Sequence, residues 1–84
     1  MGDLKPSVGR IVHYTNLGDR DGKFPPEIQA AIVTGVTVES ETTVSLHVFY
    51  RTGQFDLPKV EYAGSSVIAG SEAARGKWVW PARV

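Results

Sequence analysis

Cysteine is absent from this 84-residue sequence. That excludes disulfides, thiolate-bound zinc and a thiol nucleophile. A surplus of either charge is missing too, since nine Lys and Arg face nine Asp and Glu for a formal net charge of zero. Non-specific affinity for a polyanion needs positive charge in excess, so no nucleic-acid polymer is expected as partner. Nor does self-repulsion keep copies of the chain apart. No apolar run approaches the roughly 20 residues that span a bilayer, so no membrane partner is expected. Met1-Gly2-Asp3-Leu4-Lys5-Pro6 lacks the apolar stretch of a signal peptide, and the residues after Gly2 are poor for myristoylation. The expectation is a cytoplasmic chain.

Hydrophobic residues make up 42% of the sequence, enough for a core and too many for a disordered tail. Residues 1–84 read as a single small β domain. A chain of this length buries only roughly 60–65% of its unfolded surface. Domains so small lean on a disulfide, a metal or a partner chain, and oligomerisation is the staple left open here.

Helix is hard to find. The longest interval free of Gly and Pro lies between Gly35 and Gly53 and is filled with Val and Thr, which fit a pleated surface better than a helix. Three runs read as strands: Val8 to Tyr14, Ala30 to Val38, and Val44 to Tyr50. In the third, Val44, Leu46 and Val48 share one face, and Ser45, His47 and Phe49 the other. Val60-Glu61-Tyr62 reads as a brief strand and Lys77-Trp78-Val79-Trp80 as a terminal one closed by Pro81. The long loop from Ala63 to Gly76 has room for a helical turn at Ser71 to Arg75, with Ser71 as N-cap and Gly76 as terminator. The fold class expected is all-β. It is either a small, strongly curved antiparallel sheet or a Src-homology-3-like barrel, with one short helical turn. An open sheet that pairs its edges with another protomer is the alternative.

Catalytic constellations do not emerge. His13 and His47 lie in strands without a nearby carboxylate in sequence, and neither HxH nor HExxH spacing occurs. Asp19 and Asp21 lack the rest of a calcium loop. No serine occupies a GxSxG elbow. No enzyme activity, cofactor or metal is expected.

Binding residues are easier to nominate. Trp78-Val79-Trp80-Pro81 carries both tryptophans. Either both indoles close the bottom of the core, or one of them serves as a stacking platform for a planar ligand. Tyr14 and the Tyr50-Arg51 pair stand where strands run into loops, where binding residues concentrate. The planar guanidinium of Arg51 suits phosphate or a guanine edge. Arg20 and Lys23 give the first long loop a local positive pair. Ser65 and Ser66 lie in a small-residue loop whose backbone N–H groups have the chemistry of a phosphate cradle, although the spacing matches no nucleotide fingerprint. Aromatic faces and local cations without global positive charge fit a small anionic nucleotide.

Four segments carry a resemblance: Gly9-Arg10-Ile11-Val12-His13-Tyr14, Ala30-Ala31-Ile32-Val33-Thr34, Val44-Ser45-Leu46-His47-Val48-Phe49 and Gly76-Lys77-Trp78-Val79-Trp80-Pro81. Together they resemble a widespread family of small phage-encoded proteins. That resemblance implies a viral nucleotide sponge, which sequesters cyclic-nucleotide or cyclic ADP-ribose immune signals in the host cell cytoplasm without cleaving them. It also implies a homo-oligomer, with a tetramer as one form, and sites near subunit interfaces. The alternative is a phage adaptor or virion-associated interaction module, in which the same aromatics would anchor a protein partner.

Overall fold

The computed structural model describes residues 6–18, 26–37 and 42–81. Alternation of apolar and polar side chains builds one five-stranded antiparallel sheet. The strands are β1 (Ile11–Thr15), β2 (Ile28–Val36), β3 (Val44–Tyr50), β4 (Gly53–Val60) and β5 (Trp78–Val79). Their order across the sheet is β4-β3-β2-β1-β5. A single 3-10 turn, Glu72–Ala74, precedes β5. The sheet stays open rather than closing as a continuous barrel. An isolated parallel bridge, Tyr62 to Trp78, ties the chain after β4 to the far edge, with Ala63 N–H donating to the Trp78 carbonyl at 3.0 Å.

Curvature gathers one face into a core. The register shifts between Val33 and Gly35 where β2 meets β3, and between Val44 and Leu46 where β3 meets β4. An extra residue on one side of a ladder bends and twists the pair. With both shifts at the same end of β3, the sheet curls over its inner face. There Val12, Ala31, Val33, Val44, Leu46 and Val48 lose all contact with solvent, joined by Trp78 and Val60. Phe55, Leu57, Tyr62 and Trp80 pack around that cluster.

β3 runs over the expected residues. β1 begins later than expected because Gly9, at φ 94°, belongs to a turn in which Arg10 N–H donates to the Ser7 carbonyl at 3.1 Å. Val8 is therefore two-thirds exposed rather than paired. β2 begins at Ile28, two residues before the expected Ala30, and the expected end at Val38 lies outside the described residues. The largest difference is β4, expected only at Val60 to Tyr62. Gly53, Asp56 and Pro58 read as loop chemistry, yet Phe55 and Leu57 alternate inward opposite Val48 and Leu46. An edge strand tolerates a proline that a central one would reject. Pro58 lies just past the Leu57–Leu46 pair, inside the register shift, where it disrupts no established pairing.

The segment between β4 and β5 holds the expected turn. Ser71 stands extended before it without a side-chain cap bond, and Arg75 reaches back to Glu72 at 2.7 Å. Gly76, at φ 74°, ends it and donates to the Thr15 carbonyl at 2.8 Å. The buried Thr15 hydroxyl accepts from Gly70 N–H at 2.9 Å, so the loop is tacked onto β1.

Candidate functional site

Trp78 is the core indole. It is 1% exposed, its Nε1–H donates to the Thr42 carbonyl at 2.9 Å, and its ring lies 4.6 Å from Tyr62 and 5.2 Å from Trp80 between centroids. A ring so enclosed offers no face to a ligand, which corrects its nomination as a binding residue. Tyr14 needs the same correction. It is 6% exposed, its ring meets Phe55 edge-on, and burial pushes its phenol above the ordinary tyrosine range. Trp80 is half-buried, and the Arg10 guanidinium stands 5.4 Å from its ring centroid. That cation–π contact already occupies an aromatic face. The sequence reading did not anticipate Arg10, because only the fold brings the two together.

Ser65 and Ser66 are exposed in a turn in which Val67 N–H donates to the Gly64 carbonyl at 3.2 Å. Neither is among the residues that line the groove at the end of β3 described below. Arg20 and Lys23 lie outside the described residues.

Tyr50 and Arg51 do come together with other chemistry. The β2–β3 pairing runs out at Ala30 and Phe49. Beyond that pair β2 continues beside β1 to Ile28, whereas β3 turns through Arg51-Thr52 into β4. Between the parted ends lies a groove of about 480 Å³. Its first wall is Glu27, Ile28, Gln29 and Ala30, and its second is Phe49, Tyr50 and Arg51. A volume in this range is that of small-molecule sites.

Local structure holds both walls in place. The Asn16 side-chain oxygen accepts from Gly18 N–H at 3.0 Å and from Glu27 N–H at 2.9 Å, and Asn16 N–H donates to the Glu27 carbonyl at 3.0 Å. This clamp holds the backbone of Glu27, one of the groove's lining residues, against Asn16 at the end of β1. Across from it, a Cβ built on Gly53 would lie 2.5 Å from the Tyr50 hydroxyl oxygen. Only glycine lets that ring fold over the hairpin, where it also meets Phe55 at 5.8 Å. Gln29 Oε1 is sealed from water and has no hydrogen-bond partner among the described residues. A buried acceptor left unpaired costs about 1–3 kcal/mol. Glu27, Gln29 and Phe49 were not nominated from sequence. The alternation of β3 already put Phe49 on a reachable face, but starting β2 at Ala30 hid the other two.

On the outer face, His47 Nδ1 contacts Asp56 Oδ1 at 2.5 Å and Nε2 contacts Gln54 Oε1 at 2.8 Å. The hydrogen bond to Gln54, then that to Asp56, raises the imidazole pKa above its ordinary value. Among the described residues no three His, Cys, Asp or Glu side chains gather as a metal site, and no helix is long and apolar enough to cross a membrane.

Comparison of the chain with protein-family models, with curated proteins and with solved structures finds no match.

Proposed function

We propose that this chain is a non-catalytic capture module that holds a small, phosphate-bearing nucleotide in the groove between β2 and the β3–β4 turn and releases it unchanged. One observation carries the reading: exposed Tyr50 and Arg51, an aromatic and a guanidinium in adjacent positions, both line the groove at the end of β3. Stacking contributes roughly 1–3 kcal/mol per base, and a guanidinium adds charge-assisted bonds to phosphate. In the setting that the resemblance implies, the ligand would be a cyclic-nucleotide or cyclic ADP-ribose immune signal in an infected cell, captured by a homo-oligomer.

A second reading has its own support. Ile11, 60% exposed, shares the outer face of the sheet with Phe49, a surface that suits a protein partner in an adaptor.

The test incubates the protein with a panel of cyclic dinucleotides and cyclic ADP-ribose isomers, removes free ligand by gel filtration, and heats the protein fraction. Intact nucleotide in the released material is the expected result. An altered nucleotide would make the chain an enzyme, and an empty fraction would leave the adaptor reading. Arg51→Ala should weaken capture about tenfold or more while the melting temperature stays near that of the parent, because its side chain is exposed; Tyr50→Ala should weaken capture similarly and also lower the melting temperature somewhat, because its ring packs on Phe55.

A further inference from the structure

We propose that the Arg10–Trp80 pair is a second binding seat, one that takes a single carboxylate carried on an apolar body. It does not depend on the nucleotide reading. Arg10 meets β2 at Val33, whereas the groove is lined by Ile28 to Ala30 of that strand. Neighbouring cations are already engaged. The Arg75 guanidinium bonds to Glu72 at 2.7 Å, and the Lys77 ammonium lies 4.0 Å from Glu61. Arg10 is exposed and has no carboxylate within ion-pair distance among the described residues. Its guanidinium stands over the Trp80 ring instead.

Both ends of that contact are anchored. Arg10 N–H donates to the Ser7 carbonyl at 3.1 Å, and the Arg10 carbonyl accepts from Val33 N–H at 2.9 Å. The Trp80 ring meets buried Trp78 edge-on at 5.2 Å. A guanidinium over a ring still keeps its N–H donors, which lie in its own plane. A surface ion pair ordinarily gains little, because ordering a long side chain offsets the attraction. Here the ring orders the cation before a ligand arrives.

Local composition sets the ligand's charge. Residues 7–15 and 78–81 hold no Lys or Arg besides Arg10, so the seat offers one positive charge. A carboxylate balances it and gives two oxygens to the guanidinium fork. A phosphate monoester carries roughly −1.5 to −2 at neutral pH and would leave excess charge beside apolar surface. Val8 and Ile11, both largely exposed, flank Arg10 in the chain, and half-buried Pro81 follows Trp80. The carboxylate therefore belongs to a small apolar acid or to a Glu side chain between apolar residues of a peptide.

The indole N–H resonances of the isotope-labelled full chain test this, in titrations with phenylacetate, acetyl-Leu-Glu-Leu-amide, phenylacetamide and inorganic phosphate. Phenylacetate or the tripeptide should shift the Trp80 resonance saturably, and whichever acts more strongly identifies the source. The Trp78 resonance, held on the Thr42 carbonyl, should stay near its starting position and so reports an intact fold. Arg10→Lys should weaken the response about tenfold, because an ammonium has no fork. An equal response to phenylacetamide or to phosphate, a response that survives Arg10→Lys, or a Trp80 resonance unmoved by either carboxylate would overturn the seat. None of these outcomes bears on capture in the groove.

Discussion

The two tryptophans, two positions apart, have different work. Trp78 fills the core and spends its one donor on the Thr42 carbonyl. Trp78→Ala would lose roughly 3–5 kcal/mol, a large part of what holds a domain this small together. Trp80→Ala removes a half-buried ring and its contact with Arg10, and should cost only about 1–2 kcal/mol. Urea unfolding of the two variants should show a midpoint for Trp80→Ala and little folded baseline for Trp78→Ala. Equal losses would contradict the assignment of Trp78 to the core. His47 is the other residue with a readable signature. Both its ring nitrogens face oxygen atoms, which favours the doubly protonated ring. Its pKa is raised on folding, so its contribution to stability is complete below the ordinary value of about 6.5 and fades as pH climbs through the raised one. Proton NMR titration should place His47 above the ordinary value, and Asp56→Asn should bring it down towards that value.

At the scale of the element, β4 decides how the sheet meets its surroundings. It is an edge strand of eight residues, and Asp56, Pro58 and Lys59 stand along it. Charges and proline at an edge are what keep strands from pairing with strangers. Pro58→Thr with Lys59→Thr should therefore raise aggregation on storage, read by light scattering, with little change in the unfolding midpoint. If scattering stays at the parent level, those residues are not guarding the edge. The same residues explain what could be read in advance. Val44 to Tyr50 announces itself because it is central, strictly alternating and free of Gly and Pro. Gly53 to Val60 alternates as well, through Phe55 and Leu57, but its proline and glycine are loop chemistry in any reading that does not know where the edge is. The groove was half legible for a related reason. Tyr50 and Arg51 are chemically conspicuous at a strand end, whereas Glu27 and Gln29 acquire meaning only when β2 outruns β3 and parts from it. The roles of Trp78 and Trp80 turned on burial, which two like residues two positions apart do not disclose.

For the molecule as a whole, enclosure of the ligand decides affinity. Efficient sequestration calls for nanomolar affinity, about −12 kcal/mol. One aromatic face contributes roughly 1–3 kcal/mol, and a charge-assisted pair to a phosphate a similar amount. The costs of association and of ordering exposed side chains fall against that sum. A groove that the described residues wall on two sides therefore belongs to micromolar binding unless a further surface closes over the ligand. The chain is too small to supply that surface readily: its Cα radius of gyration is 12.4 Å, and the described apolar interior is committed to the core under β1, β2 and β3. A second copy is the natural source, since zero net charge does not oppose the approach. Sedimentation velocity with and without cyclic diguanylate, at matched protein concentrations, tests this directly. The nucleotide-bound protein should sediment as an oligomer, and Arg51→Ala should leave the ligand-free distribution as it is while removing any ligand-driven increase. A nanomolar complex of one chain with one nucleotide would show that a single groove suffices and would overturn the shared site.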